Sequence, residues 1–151
     1  MAIELVQTNS EHPDFIELVR SLDADLAVRD GEEHSFYAQY NKINLIKHAV
    51  VAYDDSIPVG CGAIKEYEPE VIEVKRMFTM TNQRGKGIAS IVLKELERWA
   101  LELGYFKCIL ETGKRQPEAI ALYKKNGYTI IPNYGQYAKV KNSVCFEKML
   151  K

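Results

Sequence analysis

The sequence is short of several things that would point to particular classes of protein. No apolar run approaches the roughly 20 residues of a membrane span, and the opening Met1-Ala2-Ile3-Glu4-Leu5 lacks the basic and apolar regions of an export signal. A protein outside the membrane, unexported and cytoplasmic, is therefore expected. Cysteine is scarce: Cys61, Cys108 and Cys145 are odd in number and widely separated, which suits neither a disulfide framework nor a CxxC metal site and reads as reduced core thiols. His12, His34 and His48 share no ligand-like spacing, so no metal is expected. An excess of charge of either sign is missing too. The 20 basic and 21 acidic side chains nearly cancel, which removes nucleic acid as a default partner and favours small molecules.

What remains is 151 residues without repeat, low-complexity tract or Pro/Gly/Ser linker, long enough for one cored domain over 1–151. Strand-like and helix-like patterns alternate, so the class is mixed α and β. Ile3 to Val6 alternates like an edge strand. Phe15, Leu18, Val19, Leu22 and Leu26 then fall at helical spacing behind Pro13, a residue suited to a first turn. The polar stretch from Asp30 to Asn44 carries Phe36, Tyr37 and Tyr40 and reads as a short helix between loops, its aromatics either packing or forming a substrate lid. Ala49–Tyr53 and Pro58–Glu66 read as strands joined by the turn formers Asp54-Asp55-Ser56, with Val71–Met80 continuing the antiparallel meander. From Gly87, the positions Ile88, Ile91, Val92, Leu96, Trp99, Ala100 and Leu103 mark one face of a long helix ended by Gly104. Lys107–Glu111 reads as a buried strand, and Pro117–Lys125 as a helix stopped by Asn126-Gly127. Tyr128–Ile131 reads as a strand, and Ser143–Met149 as the last strand, closing the sheet.

The chemically informative segment runs from Val74-Lys75-Arg76-Met77-Phe78-Thr79 through Met80-Thr81-Asn82-Gln83 to Arg84-Gly85-Lys86-Gly87-Ile88-Ala89-Ser90. A strand, a turn and a glycine-rich helix start place unobstructed backbone N–H groups at a partly positive helix terminus, an anion site suited to a pyrophosphate. Arg84 and Lys86 can add charge-assisted contacts there. Two basic residues at a helix N-terminus oppose the helix dipole, a misfit that a bound anion removes. The run lacks both the third glycine of a dinucleotide fingerprint and the Gly-Lys-Ser/Thr ending of a nucleoside-triphosphate loop, which demotes those readings.

Arg84-x-x-Gly87-x-Ala89 after a strand resembles motif A of the GNAT acetyltransferases, Gln/Arg-x-x-Gly-x-Gly/Ala. Downstream, Gln116-Pro117-Glu118-Ala119-Ile120-Ala121-Leu122-Tyr123-Lys124-Lys125-Asn126-Gly127-Tyr128 resembles the family's motif B, with Gln116 where Asn is usual. The resemblance covers nearly the whole chain. It implies a single GNAT-type α/β domain: a twisted, mixed but mostly antiparallel sheet of about seven strands, flanked by about four helices. It also implies acetyl-CoA as acetyl donor, held in a V-shaped opening between the strand ending near Thr79 and the strand Lys107–Glu111. The first of these should splay at a bulge. Backbone of Met77 and Thr79 would bond the pantetheine arm, amides from Arg84 to Ser90 would hold the pyrophosphate, and a free N–H near Met77 or Phe78 would polarise the thioester carbonyl. Gln116 and Tyr123 complete the cofactor site.

Acetyl transfer to an amine needs a deprotonated nucleophile, a proton source for the leaving thiolate and stabilisation of the oxyanion. Tyr123 matches the family's tyrosine beside the thioester sulfur and is the expected general acid, although an amphipathic helix also uses such a tyrosine simply to pack. Glu73, Glu111 or ordered water are the candidates for the base, with Glu73 favoured by strand alternation. None of the cysteines lies in either motif, which points to direct transfer in a ternary complex. A non-catalytic acyl-CoA-binding module and an acyltransferase for longer chains, through a wider cleft around Phe78 and Cys61–Ala63, are the alternatives. For the acceptor, an amine of unknown identity, Glu32, Glu33, Glu66 and Glu111 suit a cation whereas Arg76 suits a carboxylate. Tyr134 and Tyr137 either line its site or pack the last hairpin. The strand Ser143–Leu150 lies near the region through which many relatives pair, which leaves room for a homodimer.

Overall fold

A computed structural model describes residues 2–30 and 46–151, and the short helix expected over the intervening stretch, with Glu32, Glu33, His34, Phe36, Tyr37 and Tyr40, lies outside them. The described elements are β1 (Ile3–Thr8), α1 (Pro13–Asp30), β2 (His48–Asp54), β3 (Ile57–Glu68), β4 (Val71–Thr79), α2 (Ile88–Glu102), β5 (Lys107–Gly113), α3 (Pro117–Lys125), β6 (Thr129–Ile131) and β7 (Ser143–Met149). Single 3-10 turns stand at Thr81–Gln83 and Gly135–Tyr137. Among the described residues this gives three α-helices where about four were expected.

The strands form one mixed sheet in the order β1-β2-β3-β4-β5-β7-β6, antiparallel except for the β4–β5 pair. β1 is an edge strand as its alternation suggests. β7, the last strand in sequence, lies between β5 and β6 and so leaves β6 as the second edge. Its Cys145 and Phe146, which point to opposite faces, are both fully buried, so both layers of the core reach this strand.

Alternation along the strands feeds two layers. On one face Ile64, Ile72, Val74, Leu110 and Phe146 pack against the Ile88, Val92, Leu93, Leu96 and Ala100 stripe of α2, with Tyr123 of α3 at the margin. On the other, Phe15, Leu18, Val19 and Leu22 of α1 cover Ala49, Val51, Cys61, Ala63 and Phe78. Each fully buried large side chain in these layers contributes about 2–3 kcal/mol of transfer free energy. A smaller cluster of Tyr137 and Cys145, with Tyr134, Ile131 and Val140, covers the β7 end of the α1 face.

Two local features open the middle of the sheet. β4 and β5 are paired only at Val71↔Lys107, Ile72↔Cys108 and Glu73↔Ile109, after which they part. On its other edge β4 bulges: Cys61 faces Phe78 and Ala63 faces Lys75, so Gly62 alone opposes both Arg76 and Met77. Arg76 takes a left-handed φ of 60° there. The expected bulge is thus present. Gly62 permits it, since a Cβ at that position would sit 2.4 Å from Met77 Sδ and 2.8 Å from Leu96 Cδ1.

Met77 can swing aside, but Leu96 is fully buried. Gly62→Ala is therefore expected to lose about 1–3 kcal/mol through overpacking, read as a lower midpoint in urea unfolding; an unchanged midpoint would mean that α2 approaches the bulge less closely than described.

Candidate active site

Where β4 leaves β5, a cleft of about 450 Å³ opens between the two strands, floored by the start of α2 and one side of α3. Glu73, Met77, Phe78, Thr79, Arg84, Gly85, Gly87, Ile88, Ala89, Ser90, Gln116 and Tyr123 all line it; of the expected site residues only Lys86 does not, being exposed and bonded through Nζ to Gln83 Oε1 at 2.9 Å. Beyond Glu73 the β5-facing edge of β4 has no ladder partner, so its backbone groups are offered to the cleft.

The floor is an anion site by construction. Gly87 caps α2 at φ 81° with no side-chain cap, so the first N–H groups of the helix have no side-chain partner at its N-terminus. Gly85 also has a left-handed φ of 82°, and a Cβ at either glycine would meet nothing within 4 Å. The glycines serve backbone conformation and open access together. Asn126, at the end of α3, donates to Ser90 Oγ at 3.1 Å and to the Leu122 carbonyl at 2.9 Å, tying α3 to the start of α2. Arg84 lines the cleft and also braces the turn: its Nε donates to the Thr79 carbonyl at 3.0 Å, and its guanidinium lies 3.8 Å from Asp25 and over the Phe78 ring. Asp25, Leu22 and Leu26 bring α1 to the cleft wall, a contribution with no sequence sign beyond the helix's apolar stripe.

Two groups of ionisable side chains face each other across the opening. Tyr123 is buried on α3, edge-on to Tyr128 at 5.7 Å and tilted against Phe146 at 5.9 Å. Burial, and then the Glu111 carboxylate, push its phenol above the usual tyrosine range. Opposite, Glu73 is 7% exposed, accepts the Tyr134 hydroxyl proton at 2.6 Å through Oε2 and has Lys75 Nζ 3.6 Å from Oε1. Glu111 also lines the cleft and accepts from Ser143 Oγ at 2.7 Å. Tyr137 lines it as well, so of the two loop tyrosines one reaches the cleft wall and the other holds a cleft carboxylate.

Two acceptor clues are corrected. Arg76 is 5% exposed and bonded to Asp23 of α1 at 2.5 Å, so it is not offered to a substrate carboxylate. Glu66 accepts from Tyr105 at 2.6 Å away from the cleft. The thiols are out of reach as nucleophiles: burial pushes Cys61 and Cys108 up to about 12 and Cys145 up to about 11, and none lines the cleft.

Residues 14–128 match the acetyltransferase (GNAT) family. The chain belongs to that family. An IAA acetyltransferase of Azospirillum brasilense is 38% identical over 102 residues, which is 67% of each protein. Among solved structures, a Klebsiella pneumoniae protein provisionally named an acyl-CoA N-acyltransferase superposes with a TM-score of 0.83 at 27% identity, over 99% of this chain and 98% of the other. The PaiA N-acetyltransferase of Thermoplasma acidophilum, solved in complex with coenzyme A, gives 0.73 at 20% identity over 99% of each chain and so shares the fold. This GNAT protein is accordingly an N-acetyltransferase. Among its described residues no helix is long and apolar enough to cross a membrane.

The tyrosines Tyr123, Tyr128, Tyr134 and Tyr137 are all pushed up, each chiefly by burial. Unfolded, they ionise near 10. Their contribution to stability is therefore complete below about pH 10 and falls as the pH rises above it, because the unfolded chain releases protons that the folded one retains. The urea midpoint of the wild type should fall from about pH 9 to about pH 11, and fall less steeply in Tyr123→Phe; equal slopes would place the Tyr123 phenol in contact with solvent.

Proposed function

We propose that this enzyme takes acetyl-CoA as donor and a primary amine as acceptor, with direct attack in a ternary complex. The observation that carries the reading is the parting of β4 and β5 after Glu73, which sets Tyr123 and Glu73 on opposing walls of one cleft. The residues present fit the donor. Gly85 and Gly87 leave room above the α2 N-terminus for a diphosphate, and the open edge of β4 through Met77 and Thr79 suits the amide-bearing arm. When bound, acetyl-CoA supplies an activated acetyl thioester; the chain supplies position and protons.

A primary amine is mostly protonated near neutrality. Glu73, a buried carboxylate that lines the cleft where the β4–β5 ladder ends, is the group that removes its proton, in preference to the less buried Glu111. A backbone N–H near Met77 or Phe78 stabilises negative charge on the acetyl oxygen. Tyr123, whose buried phenol keeps its proton well above neutral pH, delivers that proton to the departing sulfur.

Thiol release from acetyl-CoA across a panel of amines tests this directly. Tyr123→Phe is expected to lower kcat at least about tenfold, about 1.4 kcal/mol of barrier, with little change in KM for acetyl-CoA. Glu73→Gln should lower kcat/KM for the amine by a similar factor. Full turnover in both variants would assign the proton transfers to other groups.

A further inference from the structure

Tyr134 belongs to neither family motif, yet it makes a direct hydrogen bond to a carboxylate of the cleft from 61 residues away in sequence. The loop that carries it is firmly held. Asn133 Nδ2 donates to the carbonyls of Val140 at 3.0 Å and Ser143 at 3.1 Å, and the Tyr137 amide donates to the Tyr134 carbonyl at 2.9 Å. The ring itself is fixed edge-on between Tyr67 at 5.2 Å and Tyr137 at 5.9 Å. The next residue, Gly135, has φ 52°, and a Cβ there would sit 3.3 Å from Tyr67 Oη, so the loop passes close to that ring. A tyrosine wedged between two others is an expensive way merely to cap a carboxylate; its rigidity gives the O–H a fixed direction.

The consequence falls on Glu73. Oε2 receives the Tyr134 hydrogen bond at 2.6 Å, while among the described residues Oε1 has the Lys75 ammonium at 3.6 Å, beyond hydrogen-bond length. One oxygen is committed and the other is left to accept. We propose that Tyr134 is a positioning residue for the acetyl-transfer reaction: its hydroxyl holds Glu73 Oε2 so that Oε1 is presented to the incoming amine. This rests on the reading of Glu73 as base. The titratable groups facing Glu73 among the described residues are Lys75 on its own strand, Tyr134 and Tyr137 from the β6–β7 loop and Cys145 on β7, with Glu111 on β5 facing Tyr137 across the same space. Of these, Tyr134 is bonded to the carboxylate. Burial and the adjacent Glu73 push its own ionisation far up, so the hydroxyl stays a donor at any working pH.

The test is a double-mutant cycle on the full chain, with acetyl-CoA and the best amine found by thiol release. Tyr134→Phe keeps the ring and its edge contacts and deletes the donor. It should lower kcat about tenfold, leave KM for acetyl-CoA unchanged and leave the urea midpoint close to that of the wild type. In a Glu73→Gln background the same substitution should cost nothing further. Independent, multiplicative losses would overturn the proposal, because Tyr134 would then act elsewhere; so would an unchanged kcat. If Glu73→Gln alone retains wild-type turnover, the base assignment itself fails, a result separable from either of those.

Discussion

The site depends on a pairing that stops. Parallel strands normally continue side by side until their crossover helices diverge, yet here the β4–β5 ladder ends after three residue pairs. The break is built from the far side of β4, where an extra residue opposite Gly62 turns the strand. Its geometry is held by Arg76, whose left-handed backbone would be costly in isolation. The side chain of Arg76 runs beneath α1 to Asp23, the carboxylate that pairs with its buried guanidinium among the described residues. Such a pair adds little net stability, but removing either partner leaves a charge without compensation in a dry place. The position of α1 and the angle of the strand are thereby specified together.

With the strands apart, everything else in the cleft is a matter of what they and their connections bring to it. The turn after β4 needs two left-handed residues to reach α2, and glycine at both leaves the helix start bare. α3 follows β5 directly and sets Tyr123 against the same opening, where packing on Tyr128 and Phe146 excludes water and keeps the phenol protonated. The β6–β7 loop closes the remaining side with its own tyrosines. The Tyr123 phenol and the Glu73 carboxylate thus line one gap from different elements, α3 and β4.

Much of this was legible in the residues, for reasons that are local. Pro117 at a helix start and Asn126-Gly127 at its end delimit α3 as expected, and the Ile88-to-Leu96 stripe fixes both α2 and the layer it covers. The glycines at 85 and 87 announce a bare helix terminus because little else uses them in that pattern. What stayed hidden is long-range. Nothing near Arg76 says that its partner is Asp23, nor that Arg84 will turn back to Thr79 and Asp25, so both looked available to ligands. β7 read as the strand that closes the sheet; that it does so between β5 and β6 is a matter of long-range strand pairing, which no local pattern records. Tyr134 stood out only as a loop aromatic that would line the acceptor site or pack the last hairpin; its bond to Glu73, on a distant strand, had no local sign.

The short β4–β5 ladder has a mechanical consequence. The sheet amounts to two plates, β1-β2-β3-β4 and β5-β7-β6, welded along three residue pairs at one end and backed on one face by α2 and α3. The angle between the plates is set by that backing layer and by struts across the opposite face, rather than by backbone bonds along their length. The bond from Tyr134 on the second plate to Glu73 on the first is such a strut. The width of the gap between the plates is therefore held by side chains, in the packed layer and across the opening, where backbone pairing would otherwise hold it.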